Sequence, residues 1–317
     1  MQIDFSWVDE YFRKVKPYLF VRMEDLLLIK RPNEVQKLNK TGALILKSLL
    51  EGTSIDELLG SLGADDQKSL QIYQFLIAIK NSVEGDSGLF SCNPAISSRP
   101  FEGAFSQLPI LSELAITYRC NLKCAFCYAG CNTGTNPINS DKELPTNGLK
   151  TLIQKIAMEA KVPSISFTGG EPVLRKDLPE LISYAKSLDM RVNLISNGTL
   201  VNKEKAIELV AAGLDSAQIS LEGCDEEVHD TLVGMHGAFE KSVQAVHHFK
   251  SQGIHVHSNT TLNGANLHQA SMFPYFVKNI LGLKKFSMNM MIPSGSVLKN
   301  ESLKLYYSRM KEPLQAI

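Results

Sequence analysis

The sequence predicts an α/β fold: a partial (β/α)6 TIM-like barrel preceded by a small winged-helix-like domain. Three observations carry this. From residue 111 onward six β-type segments are separated by helical ones, and strands joined by helices of roughly 10–15 residues form right-handed crossovers on a parallel sheet. Within those segments the residues alternate: Ile165 and Phe167 with Ser164, Ser166 and Thr168, and Ile219 and Leu221 with Gln218, Ser220 and Glu222. A flat sheet covered on both faces reads as nearly continuous apolar runs. One polar face implies a curved sheet around a polar lumen. Finally, residues 84–109 are rich in Gly, Ser and Pro and read mostly as a linker. The expected division is a domain over 1–95, a linker over 96–110, the barrel over 111–300 and a tail over 301–317.

In the N-terminal part, Tyr18 to Leu38 alternates apolar and polar residues in short runs, with Arg31-Pro32-Asn33 as a turn, and predicts two or three strands. Three helical patterns follow. Asn39 or Thr41 can cap the first, which ends at Gly52. Ser54 with Glu57 makes a capping box for the second, and Asp65 or Asp66 opens the third. In the barrel, strands are expected at SELAITY, PSISFTGG, RVNLISNG, DSAQISLEG, HVHSNTTLN and KKFSMNMMIPSG. Helices are expected over 146–160, 177–188, 202–212, 238–252 and 267–280.

The chain has 317 residues, with Lys plus Arg and Asp plus Glu balanced at 33 each. That balance gives no net field to draw it to nucleic acid or an anionic membrane. No signal-peptide pattern opens the sequence, and no run nears the ~18 apolar residues of a membrane span. The expected address is cytoplasmic. Four of the six cysteines, Cys120, Cys124, Cys127 and Cys131, fall within one loop; Cys92 and Cys224 stand apart. In a long chain without a signal peptide such clustering points to metal or redox chemistry.

Cys120, Cys124 and Cys127 are spaced CxxxCxxC directly after the first barrel strand. Three such thiolates can hold three irons of a [4Fe–4S] cube and leave the fourth open to a ligand. A zinc site using Cys131 as the fourth thiolate is the competing reading. Thr168-Gly169-Gly170-Glu171-Pro172 ends the second strand, where glycines admit close approach of a ligand. Ser196-Asn197-Gly198-Thr199 ends the third strand and Ser220-Leu221-Glu222-Gly223 the fourth.

The Cys spacing, the aromatic Phe126 before the third Cys and the GGEP segment together resemble the radical S-adenosylmethionine (SAM) superfamily. The stretch ISLEGCDEEVHDTLVGMHGAF resembles the ISxDGxxxxxHDxxRGxxGxF pattern of its SPASM/Twitch branch, departing at Glu222, where Asp is commoner, and at Val233, where Arg is commoner. The resemblance covers residues 111 to about 295. It implies a [4Fe–4S] cluster on Cys120, Cys124 and Cys127, with SAM chelating the open iron through its amino and carboxylate groups. One electron, from a donor such as flavodoxin or ferredoxin, then cleaves SAM to a radical that abstracts hydrogen from substrate. It assigns the SAM amino group to Gly169, Gly170 and Glu171, with Pro172 closing the motif. Ribose and methionyl carboxylate fall to Ser196, Asn197, Ser220 and Glu222. A fourth protein ligand would block SAM, so Cys131 reads as a loop thiol.

Other residues read more plainly. His255 and His257 share one face of the fifth strand and read as polar lumen residues rather than a metal pair. Met288, Met290 and Met291 read as packing, and Cys224 as a plain thiol. SPASM enzymes continue into a Cys-rich extension. This sequence has no Cys after Cys224, as expected of a fragment or of a single-cluster protein.

The N-terminal run LIKRPNEVQKLNKTGALILKSLLEGTSIDELL resembles the PqqD-like fold, the recognition element that grips leader peptides of ribosomally made peptides. That implies a peptide substrate with a leader, bound as an added β-strand. A DNA-binding winged helix is the alternative, since Lys30, Arg31, Lys37, Lys40 and Lys47 give the unit some basic surface. Peptide maturation is thus the leading function. Radical chemistry on a small metabolite or tetrapyrrole is the second, and a zinc-bound regulator the third.

Overall fold

The computed structural model describes residues 3–85, 95–96, 106–131 and 143–315. Cys92 and most of the expected linker lie outside the described residues. The chain divides into two compact units: one takes Met1–Ser112 with Ile156–Ser164, the other Glu113–Lys155 with Ile165–Ile317.

The first unit opens with a helix that is an addition to the expected ones, α1 (Val8–Val15), whose Val8, Phe12 and Val15 recur at helical spacing and are buried on one stripe. Strands β1 (Leu19–Arg22), β2 (Leu27–Lys30) and β3 (Glu34–Lys37) form an antiparallel meander in that order. Three helices follow, each started by the cap its sequence offers. The Asn39 side chain accepts the Gly42 N–H at 2.7 Å to open α2 (Lys40–Glu51), which stops at Gly52. Ser54 and Glu57 form the capping box of α3 (Ile55–Ser61), and Asp65 caps α4 (Asp66–Glu84). Leu28, Leu46, Leu76 and Ile79 form the fully buried centre of the core they enclose.

Arg22 gives this unit a buried charge that hydrophobic patterning does not reveal. It is paired with Asp25 through two hydrogen bonds of 2.9 and 2.8 Å. Its remaining donors reach the carbonyls of Leu108 and Pro109 and the hydroxyl of Ser106. Burying an ion pair is tolerable only when the remaining donors also find partners, and here they do.

The second unit is built on six strands in sequential order: β4 (Leu111–Thr117), β5 (Ser164–Gly169), β6 (Arg191–Ser196), β7 (Ser216–Ser220), β8 (His255–Leu262) and β9 (Phe286–Met290). β6 to β9 pair in parallel. The helices around them include α5 (Thr146–Gln154), α6 (Leu178–Ser187), α7 (Lys203–Ala211), α8 (Glu226–Val233) and α9 (Ala238–Ser251). The partial barrel is therefore present.

Register explains the two-faced strands. Asn193 lies beside Ser216, which lies beside His255, and Ser220 lies beside Asn259, which lies beside Ser287, all on one face. These polar groups satisfy one another. Ser216 Oγ donates to Asn193, which donates to Ser166; Ser287 and Asn289 both donate to Asn259 Oδ1. On the opposite face Leu194, Ala217 and Ile219 are wholly buried.

Three expectations need correction. The helix expected over 146–160 is regular only to Gln154 and widens over Lys155–Glu159. The one expected over 267–280 alternates tight and wide turns around Pro274, which lacks the N–H a regular helix needs there. The 301–317 tail carries a helix, Tyr307–Gln315, whose Met310 packs with Leu262, Ala270 and Leu305. α8 is an addition to the expected helices and lies inside the ISLEG…GAF stretch.

Candidate cofactor site

The cysteine loop leaves the end of β4 and is fastened at several points. The Lys123 and Ala125 N–H groups donate to the carbonyls of Val233 and Leu232, at the C-terminal end of α8. Those carbonyls lack partners within the helix, so a neighbouring loop completes them. The Asn121 amide donates to Thr199 Oγ1 at 2.8 Å and accepts from Asn197 Nδ2 at 3.0 Å. Ser296 N–H donates to Cys127 O at 2.9 Å.

Cys120, Cys124 and Cys127 are half-buried and line one cavity of about 450 Å³. Burial raises the Cys120 thiol and raises Cys124 well above its ordinary range, with Glu222 adding to the latter. Cys131 lines the same cavity and is hydrogen-bonded to Cys127. That bond pulls Cys127 down and pushes Cys131 up, so Cys131 keeps the proton.

Among the described residues, only Glu226, Asp230 and His236 bring three candidate ligand atoms within 4.8 Å of one another. The cysteine sulfurs are spread more widely than one tetrahedral ion of zinc–sulfur bonds near 2.3 Å would gather them. Three thiols around one wide cavity suit a cube, in which each sulfur meets its own iron.

The structure sorts the other expected residues. Phe126, Gly169, Gly170, Ser196, Asn197, Ser220 and Glu222 all line the cavity; Glu171 and Pro172 do not. Glu171 is wholly buried and occupied elsewhere. It accepts from Ser196 Oγ, Asn197 N and Val173 N at 2.8–3.0 Å, and burial pushes its carboxyl up to about 7.

The two glycines also need a different account. Gly169 has φ +137°, and a Cβ there would collide with the carbonyl oxygen of Thr117. A Cβ on Gly170 would collide with that of Arg119. The N–H groups of Gly170 and Glu171 donate to these same oxygens at 2.8 Å. The space that glycine saves is filled by the chain leading into the cysteine loop. GGEP therefore first braces that loop, while Gly169 and Gly170 still line the cavity.

Glu222 is buried, accepts the Thr261 N–H at 2.8 Å, and is pushed up to about 8 by burial. Val233 lines the cavity with an apolar side chain. His229 lines it too, 1% exposed, with an Nε2 that has no hydrogen-bond partner among the described residues. The histidine belongs to the ISLEG…GAF pattern, but nothing in the pattern marks it as facing a cavity. Gln218, Asn259 and Asn289 complete the floor, and strand alternation alone does not single them out from other lumen residues.

His255 and His257 stack with rings 6.2 Å apart. His257 meets Gln218 at 3.0 Å, and burial lowers both histidines. Neither lines the cavity, and His255 is exposed. Met291 is core, and Met288 packs beside Leu262, whereas Met290 reaches the cavity. Cys224 does not line it.

A polar lumen in a partial barrel, with three thiols at its mouth, defines the class, and residues 114–271 match the family model of the radical SAM superfamily: the chain carries a radical SAM domain. That superfamily works with a [4Fe–4S] cluster and SAM. Among curated proteins the chain is 37% identical over 195 residues to the Fe-coproporphyrin III synthase of Methanosarcina barkeri, covering 61% of this chain and 47% of that protein. It is 34% identical over 165 residues to the PqqA peptide cyclase of Bradyrhizobium diazoefficiens, covering 51% and 41%. The chain thus aligns with about half the length of the curated relatives it matches. Streptococcus suis SuiB, solved with S-adenosylmethionine, shares the fold with a TM-score of 0.62 at 19% identity, over 94% of this chain and 68% of SuiB. SuiB has also been solved bound to its precursor peptide SuiA, with the same TM-score at 17% identity.

The donor set fits both cofactors. Buried thiols with raised pKa values need a cation to become thiolates, and a buried orphan N–H at His229 needs an acceptor.

Proposed function

We propose that the chain is the catalytic part of a radical SAM enzyme that modifies a ribosomally made peptide, and that its N-terminal unit is a PqqD-like leader-binding element. Bound together, the cluster and SAM supply a primary carbon radical able to take hydrogen from substrate. The chain's own residues do the rest. Cys120, Cys124 and Cys127 hold the cluster, and Ser196, Asn197, Ser220 and Glu222 orient SAM. The enclosing barrel shields the radical from solvent.

The observation that carries the peptide reading is the edge of the N-terminal sheet. β3 is a terminal strand, and just beyond it Leu38 forms an antiparallel bridge with Ile96 while Asn39 N–H donates to Ala95 O at 2.9 Å. β-Strand addition of a peptide would use the edge of β3 itself, continuing the pairing seen just beyond its end. Beside it lies a cavity of about 490 Å³ between α2 and α4, lined by Ile45, Ile72 and Phe75. The likeness to a peptide cyclase and to SuiB supports the same reading.

A tetrapyrrole substrate is the second reading, favoured by the 37% identity to Fe-coproporphyrin III synthase. A flavodoxin or ferredoxin would supply the electron in either case. Among the described residues no helix is long and apolar enough to cross a membrane. A cytosolic location goes with this chemistry, since clustered thiols persist where the surroundings are reducing.

The test uses the full chain reconstituted anaerobically with iron and sulfide. It is titrated separately with a short precursor peptide encoded beside its gene, the same peptide without its leader, and iron-coproporphyrin III. Leader-dependent binding of the peptide supports the proposal. Tight porphyrin binding with no peptide binding overturns it in favour of the second reading.

A further inference from the structure

His229 sits on α8, 1% exposed, with its ring edge-on to Phe239 at 5.8 Å. Its Nδ1 receives the backbone N–H of Glu222 at 3.0 Å. A backbone N–H can only donate, so Nδ1 is the acceptor and the ring proton resides on Nε2. Burial keeps the ring neutral, with a pKa lowered to about 4. The result is an N–H donor in one fixed tautomer, buried at the cavity wall without a partner among the described residues. Buried donors are rarely left unmade, because desolvation without a bond is costly.

Two facts narrow the acceptor. No Lys or Arg is among the described residues lining the cavity, so whatever side-chain hydrogen bonds an anion receives there come from neutral donors. Val233, one turn after His229, occupies the place where the resembled pattern carries Arg, and it also faces the cavity. The donor is on the cluster side. α8 clamps the cysteine loop through the carbonyls of Leu232 and Val233, and Glu222 acts electrostatically on Cys124. On that side lies the aminoacyl end of SAM, which chelates the open iron, rather than its nucleoside.

We infer that His229 is a positioning residue for SAM, its Nε2–H donating a hydrogen bond to the methionyl carboxylate in place of a cationic side chain. The inference rests on the radical SAM reading of this cavity.

Two substitutions separate donor from scaffold. His229→Asn leaves an acceptor near Nδ1 for the Glu222 N–H and removes the distal donor. His229→Gln places an amide N–H near Nε2. Iron content and SAM affinity are measured on the same reconstituted samples, together with affinity for 5′-methylthioadenosine, which lacks the aminoacyl group. The expected result is full iron in both variants and SAM binding weakened roughly ten- to a hundredfold in His229→Asn, the scale of one hydrogen bond to a charged group. His229→Gln recovers part of that loss, and 5′-methylthioadenosine binds all proteins alike. Unchanged SAM affinity in His229→Asn overturns the inference, as does an equal loss for 5′-methylthioadenosine. Loss of iron in both variants would make His229 part of the scaffold and overturn it as well. A parent protein that takes up neither cluster nor SAM would sink the radical SAM reading itself.

Discussion

The carboxylate of Glu171 accepts the backbone N–H of Asn197 at 2.8 Å, tying the turn after β5 to the turn after β6. Asn197 in turn donates to Asn121 in the cysteine loop. Three strand ends are thereby locked around one cavity, and the GGEP segment is the brace between them.

That geometry changes what substitution of the glycines does. Gly169→Ala and Gly170→Ala each put a Cβ into a carbonyl oxygen of the chain entering the cysteine loop. Each is expected to destabilise the protein by on the order of 3 kcal/mol, the upper range for overpacking. Cluster retention should fall in parallel. Denaturant unfolding beside iron analysis checks this. A variant of normal stability that has lost only SAM binding would contradict the brace.

Alanine at Cys120, Cys124 or Cys127 should abolish cluster binding, because in the proposed site each sulfur would serve a separate iron. Cys131→Ala should keep it, since a fourth protein thiolate would occupy the iron that SAM has to reach. Iron and sulfide content of the four variants is the measurement. Complete iron loss in Cys131→Ala would establish a four-thiolate site.

The buried pair in the N-terminal unit has a clear cost when half of it is removed. Asp25→Ala strands the Arg22 guanidinium, and an uncompensated buried charge costs about 3–5 kcal/mol. The double variant Arg22→Met, Asp25→Leu should recover part of this. Urea unfolding of the three proteins tests the coupling, and additive losses would refute it.

Glu222 predicts a pH dependence of stability in the metal-free protein. Its carboxyl is pushed up to about 8 in the fold by burial, against roughly 4.3 in an unfolded chain. Between those values the folded state keeps a proton that the unfolded state releases, so stability falls as pH rises. Glu171, pushed up to about 7, acts with the same sign over a narrower window. Glu222→Gln should flatten the fall between about pH 5 and 8 without abolishing it. Unfolding midpoints across that range give the answer, and identical slopes in the two proteins would exclude Glu222 as their source.

The sequence by itself determined the sheet and the cofactor class. Strand alternation is a period of two that survives folding, so the alternation alone assigns Ser166 and Gln218 to the polar face of their strands. Caps are equally legible at Asn39, Ser54 and Asp65, because a cap is a contact between residues three apart. The cysteine triplet is legible because its three thiols share one loop. Tertiary structure decided the rest, and each case depends on residues distant in sequence. Only the approach of β5 to the chain after β4 shows that Gly169 and Gly170 make room for Thr117 and Arg119. Only the fold shows that Glu171 is consumed by Ser196 and Asn197, 25 and 26 residues away. And His229 gained its tautomer from a backbone N–H and its orphan donor from burial, neither of which a one-dimensional pattern records.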